Sequence, residues 1–110
     1  MKRIYLAGPY THDDEAIRNS RAEALSAKAA ELMLEGHVVF SPITHGHALL
    51  PWLPFSCRTW EFWGAQDKVH LEACDQLRVL CLPGWEHSRG VKDEIKWARE
   101  SGKTIIFHQP

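Results

Sequence analysis

The sequence predicts an α/β domain built on an open parallel sheet with helices on both faces. Three observations carry that prediction. Short apolar runs of strand character recur at residues 4–7, 37–41, 77–82 and 103–107. Helical periodicity fills the intervals, over residues 15–35, 59–73 and the segment after Ser88. Glycine or proline stands at the joints, in Gly8-Pro9, Gly36, Pro83-Gly84 and Gly102. Strands joined through helical crossovers lie parallel, and such crossovers are right-handed. The expected sheet has four strands, with room for a fifth, in the order 2-1-3-4, a flavodoxin-like or Rossmann-like arrangement.

Each element has a local reason. Ile4-Tyr5-Leu6-Ala7 is a buried strand stopped by Gly8-Pro9. Thr11-His12-Asp13-Asp14 offers a capping oxygen and first-turn acids to the helix that follows. In that helix Ile17, Leu25, Ala29 and Leu32 fall at helical spacing, Arg18 and Arg21 are expected on its solvent face, and Gly36 ends it. His37-Val38-Val39-Phe40-Ser41 is the second strand. Residues 42–58 carry three prolines and no clear period, which reads as a long functional loop; Leu49, Leu50, Trp52, Leu53 and Phe55 argue against disorder. The next helix places Trp60, Trp63, Asp67 and His70 on one stripe. Asp75 precedes the third strand, in which Cys81 alternates toward the core. Ser88 caps a helix whose buried face is Val91, Ile95 and Ala98. Lys103–Phe107 closes the sheet.

The chain of 110 residues has room for one domain, expected over residues 1–110, and one core. It is 45% hydrophobic and 25% charged with a net charge of −1. A general nucleic-acid or membrane-surface binder needs a basic patch that this balance does not suggest. Cys57, Cys74 and Cys81 are odd in number and form no C-x-x-C pair, which argues against a disulfide framework or zinc ribbon and fits a reducing cytoplasm. The apolar N-terminal run is too short for a signal peptide, so a cytoplasmic location is expected.

In an open α/β sheet, ligands bind outside the carboxyl ends of the strands where the strand order reverses. Three segments should meet there: Gly8-Pro9-Tyr10, residues 41–47, and residues 83–90. In Ser88-Arg89-Gly90, a loop, a glycine and a helix start make an anion site from unpaired amides, the positive helix end and a hydroxyl. The alternative is a serine that merely caps the helix. Glu94 follows on the same helix. Its neighbours at three and four residues are Gly90, Val91, Trp97 and Ala98, none of them basic, so it lacks the usual partner of a surface glutamate. Asp93, with Lys96 nearby, reads as solvated surface.

Tyr5-Leu6-Ala7-Gly8-Pro9-Tyr10, Ser88-x-Gly90-x-x-x-Glu94 and Gly102-Lys103 before a final strand resemble the nucleoside 2-deoxyribosyltransferase superfamily. The resemblance spans nearly the whole chain. Within that superfamily it is to a small, uncharacterised bacterial and phage branch with a Pro-Gly-Trp-Glu-x-Ser-Arg-Gly loop, here residues 83–90. The resemblance implies that Glu94 acts at C1′ of a sugar, that the Tyr5 hydroxyl positions it, and that Gly8 and Pro9 line the sugar. Ser88 stands where transferases of free nucleosides carry Asp and where nucleotide N-glycosidases carry Ser, which implies a nucleoside monophosphate substrate. The departing base needs a proton donor, for which Asp75, His45 and Asp67 are candidates. Asp75 partly matches a family aspartate, although that aspartate sits farther from the glutamate than the 19 residues here. The resemblance also implies a homo-oligomer whose subunits complete each other's sites.

Among the remaining residues, one of Trp52, Trp60, Trp63 and Trp85, with Trp85 foremost, is a candidate for stacking on the base, core and interface packing being the reading for the others; Arg89 is a candidate for pairing with phosphate, the alternative being a solvated side chain. His45-Gly46-His47 supplies two imidazoles but no further spaced ligand, so no metal or other cofactor is expected; one of the two, His45, is read as a substrate contact. The functional expectation is a nucleoside-monophosphate N-glycosidase or deoxyribosyltransferase-like enzyme, with hydrolysis favoured over transfer. The alternative is a non-catalytic nucleotide-binding module.

Overall fold

The computed structural model describes residues 1–110. Four strands, β1 (Arg3–Ala7), β2 (Val38–Phe40), β3 (Gln76–Leu80) and β4 (Thr104–His108), form one parallel sheet in the order β2-β1-β3-β4. Tyr5 in the central strand β1 lies level with Phe40 on one side and Leu77 on the other. The helices are α1 (Glu15–Leu34), α2 (Pro42–Leu49), α3 (Trp60–Glu72) and α4 (Arg89–Glu100).

Strand alternation divides the core into two layers. Ile4 and Leu6 turn to one face and pack with Leu25, Ala29 and Leu32 of α1. Tyr5 and Ala7 turn to the other, with Leu71 of α3 and Val91 and Ala98 of α4. Cys81 joins this second layer, as its alternation predicts. All these side chains are at most 9% exposed. Burying an aliphatic side chain of this size contributes about 1.5–3 kcal/mol, so the two layers clamp the helices to opposite faces of the sheet. β1 therefore leads to α1 on one face and β3 to α4 on the other, which opens a crevice between their carboxyl ends.

Helix starts follow cap chemistry. The side chains of Asp14, Ser41, Thr59 and Ser88 accept the amides of Ala16, Thr44, Phe62 and Val91. Gly84, at φ +92°, makes the turn into α4; a side chain there would be strained and would crowd Arg21.

The expected long loop is instead mostly helical. Residues 42–58 hold α2 and two single 3₁₀ turns, Leu50–Trp52 and Phe55–Cys57. Ser41 caps α2 and Pro42 occupies its first turn, where no amide hydrogen is required. The weak helix formers in Thr44-His45-Gly46-His47 hid it from periodicity. No helix is long and apolar enough to cross a membrane.

Candidate active site

A cavity of about 540 Å³ opens at the carboxyl ends of β1 and β3, between α1 and α2 on one side and α3 and α4 on the other. Its floor is acidic. Val91, Glu94 and Ala98 form the buried stripe of α4, so Glu94 occupies a position at which an apolar side chain would ordinarily pack. It is 4% exposed. Tyr5, fully buried in β1 and turned to the same face, donates its hydroxyl to Glu94 Oε2. Asp67, 7% exposed, projects from α3 toward the same hydroxyl.

Burial dominates the electrostatics of this trio. It pushes Glu94 up to about 8; the Tyr5 hydrogen bond opposes the rise, and the charges of Asp67 and Asp93 add to it. Burial likewise pushes Asp67 up to about 7, with the nearby Tyr5 hydroxyl opposing the rise. The Tyr5 phenol is held well above its ordinary value by burial and then by the Glu94 charge. The two carboxyl groups titrate as a coupled unit that retains a proton near neutral pH. A site that keeps one acid protonated beside one carboxylate can supply both a proton donor and a negative charge.

At the rim, Ser88 Oγ accepts the Val91 amide at 3.3 Å, which leaves its own hydrogen free to donate. The amides of Arg89 and Gly90 precede the first intrahelical hydrogen bond of α4 and have no backbone acceptor. Capping and anion binding are thus compatible roles for Ser88. Gly90 also admits the ring of Trp60, since a β-carbon there would lie 3.2 Å from it.

Of the residues singled out from the sequence, Gly8, Tyr10, Ser88, Arg89, Gly90 and Glu94 line the cavity, with Tyr5 beneath it. Arg89 is engaged in an exposed ion pair with Glu61 at 3.1 Å. Four others are not brought there. Pro9 is buried in the turn after β1. Trp85 packs on the core, its ring 5.5 Å from that of Phe107. His45 is exposed and faces Phe40 rather than the cavity. Asp75 accepts the Arg3 amide at 2.9 Å, at the opposite end of the strands.

The replacements have a common cause in helix phase. Ile43, Gly46 and His47 share the cavity face of α2, one turn apart, Leu50 just past its end continues that face, and His45 falls on the other side. His47 Nδ1 pairs with the Tyr10 hydroxyl at 2.6 Å. On α3, Trp60, Trp63 and Asp67 line the cavity, so the aromatic and acidic stripe visible in the sequence was the signal for the residues that Trp85 and Asp75 had been expected to supply. His70, on that stripe, stacks on Phe40 instead, with centroids 4.0 Å apart. Arg18 and Arg21 do not both face solvent as expected. Arg18 lines the cavity, and Arg21 bonds the Thr11 and Pro83 carbonyls, each at 3.0 Å, because loops at the ends of two strands converge over that turn of α1. Asp93 is no solvated surface acid; it accepts the Trp60 indole at 2.7 Å, while Lys96 approaches Glu100.

No curated protein matches the sequence. The fold is similar to the solved structure of a 2-deoxyribosyltransferase from the psychrotolerant bacterium Bacillus psychrosaccharolyticus, with a TM-score of 0.71 and 24% identity over 98% of this chain and 72% of that one. The likeness establishes the shared flavodoxin-like fold. The model of a family described as a domain of unknown function, DUF1937, matches residues 2–109, and the chain belongs to that family.

Proposed function

We propose that the protein cleaves the N-glycosidic bond of a nucleoside monophosphate. The observation that carries this reading is the buried contact of the Tyr5 hydroxyl with Glu94 on the cavity floor, beside Asp67. Breaking a C1′–N bond develops positive charge at C1′ and negative charge on the base. Glu94 would meet the first as a carboxylate and Asp67 the second as an acid. In the reactive form the pair's shared proton sits on Asp67 and the charge on Glu94, the reverse of the order in which the free site holds them; the Tyr5 hydroxyl and the positive charge developing at C1′ favour the Glu94 carboxylate.

The atoms balance in two steps. Glu94 bonds to C1′ as the C1′–N pair leaves with the base, and the base takes the Asp67 proton. Water then attacks C1′, its proton passes to Asp67, and the Glu94 carboxylate is released along with the sugar phosphate. Tyr5 holds Glu94 in line and favours its charged form. The amides of Arg89 and Gly90 with the Ser88 hydroxyl would hold the 5′-phosphate; an aspartate at residue 88 would repel it. Trp60 and Trp63 offer ring surface to the base, a role earlier considered for Trp85. Hydrolysis is favoured over transfer, in a cytoplasmic homo-oligomer.

The test is a panel of ribo- and deoxyribonucleoside monophosphates with released base measured by chromatography. The reading requires cleavage of at least one of them and its loss in Glu94→Ala. Binding without turnover, unaffected by Glu94→Gln, would replace it with a nucleotide-binding module.

A further inference from the structure

The cavity carries a second cluster of positive charge that the reaction above does not use. Arg18 from α1 and Arg58, just before α3, both line it. Neither has a carboxylate within ion-pairing distance; the ion pairs of the chain are Lys28–Glu31, Arg89–Glu61 and Lys96–Glu100. Arg18 is tethered through Nη1 to the carbonyls of His12 and Asp13, which fixes its guanidinium at the rim and leaves its other N–H groups available. Arg58 rests over the Phe55 ring, 5.3 Å from its centroid.

Both guanidinium groups and Tyr10 line the same cavity. Burial raises the Tyr10 phenol, and the charges of Arg18 and Arg58 pull it down, with Glu15 as the opposing acid. Tyr10 is in turn paired with His47. This cluster is separate from the α4 start, where Arg89 is already engaged by Glu61. The chain as a whole is nearly balanced, with 13 Lys and Arg against 14 Asp and Glu, so two unpaired arginines lining one cavity are a local feature.

We propose that Arg18 and Arg58, with the Tyr10 hydroxyl, form a second phosphate subsite, so that the preferred ligand is a nucleotide bearing two phosphate groups. Two guanidinium forks arriving from different elements suit a tetrahedral oxyanion better than a single planar carboxylate, which one fork already satisfies. The inference rests on the nucleotide reading of the same cavity. It leaves open to experiment whether the second phosphate extends the first, as in a 5′-diphosphate, or stands on the sugar, as in a 3′,5′-bisphosphate.

Calorimetric titration separates these cases without requiring turnover. Nucleoside 5′-monophosphates, 5′-diphosphates and 3′,5′-bisphosphates of the common bases are titrated into the parent protein, Arg58→Gln and Arg18→Gln/Arg58→Gln. At least one doubly phosphorylated form should bind the parent tenfold or more tightly than its monophosphate. That preference should fall below threefold in the double variant and at least halve in Arg58→Gln, a substitution that breaks no hydrogen bond. Monophosphate affinity should change less than threefold, and thermal melts should show all three proteins folded. Monophosphate binding with no gain from the second phosphate, or a gain that survives Arg58→Gln, overturns this subsite and leaves the nucleotide reading standing. Absence of binding by every nucleotide overturns both.

Discussion

The indole of Trp60 donates to the carboxylate of Asp93 at 2.7 Å and so ties the first turn of α3 to the first turns of α4 across the cavity. The Trp60 ring also stacks on Trp97, with centroids 5.9 Å apart, and covers both Gly64 and Gly90. One side chain thereby sets the spacing between the helix that carries Asp67 and the helix that carries Glu94.

Trp60→Phe should retain most of the packing and lose the hydrogen bond, at a cost of about 1 kcal/mol. Gly90→Ala should be worse for the site than for the fold, because the new β-carbon meets the ring at 3.2 Å in the turn proposed to hold phosphate. Urea denaturation reads the first effect. The affinity for a nucleoside monophosphate reads the second; unchanged affinity in Gly90→Ala would remove Trp60 from any account of that turn.

Tyr5→Phe deletes the donor that favours charge on Glu94. The ionisation of Glu94 should then move to higher pH, and with it the rising limb of the pH–rate profile for base release. The rate at neutral pH should fall by about 10²-fold or more, as for loss of a positioned acid–base partner. A profile whose rising limb stays in place would mean that Tyr5 is a packing residue only.

Glu94 and Asp67 link stability to pH in a definite sense. Both carry folded-state values raised above their unfolded ones, to about 8 and about 7. Well below about pH 4 both are protonated in either state and no penalty applies. As pH rises from about 4 to about 8 the unfolded chain releases these protons first, so their contribution to stability is lost across that window. Glu94→Gln removes the larger part of this loss. Its melting temperature should match the parent at pH 4 and exceed it at pH 8.5 by several degrees, given about 4–8 °C per kcal/mol for a domain near this size. Equal differences at both pH values would contradict the buried-carboxylate picture.

Asp67 and Asp75 should separate cleanly. Asp67→Asn removes the proposed proton donor and should lower turnover by about 10²–10⁴-fold. Asp75→Ala removes the bond to the Arg3 amide, costs about 1 kcal/mol, and should leave base release within twofold of the parent. Matched assays and melts on the two variants give the comparison. A large loss of turnover in the Asp75 variant at full folding would return the proton donor to that residue.

The order of strands and helices was legible in the sequence because its causes are local. The apolar run Ile4–Ala7, the capping side chains of Asp14 and Ser88, and the stop at Gly36 act within a few residues of where they stand. The same locality exposed Glu94, which breaks the apolar stripe of α4 with no basic partner in reach. Tertiary packing decided which polar residue of each other segment meets it. The rotational phase of α2 turned His47 inward and His45 out, and that of α3 presented Asp67, Trp60 and Trp63. The parallel register carried Asp75 to the far end of the strands. Arg18 and Arg21 carry the same lesson: alone, their turn of α1 looks solvent-facing, and only the convergence of the loops after Ala7 and Leu82 over it makes one a cavity wall and the other a clasp. Sequence periodicity sets which side chains share a face of a helix, but only packing against the sheet sets where that face points.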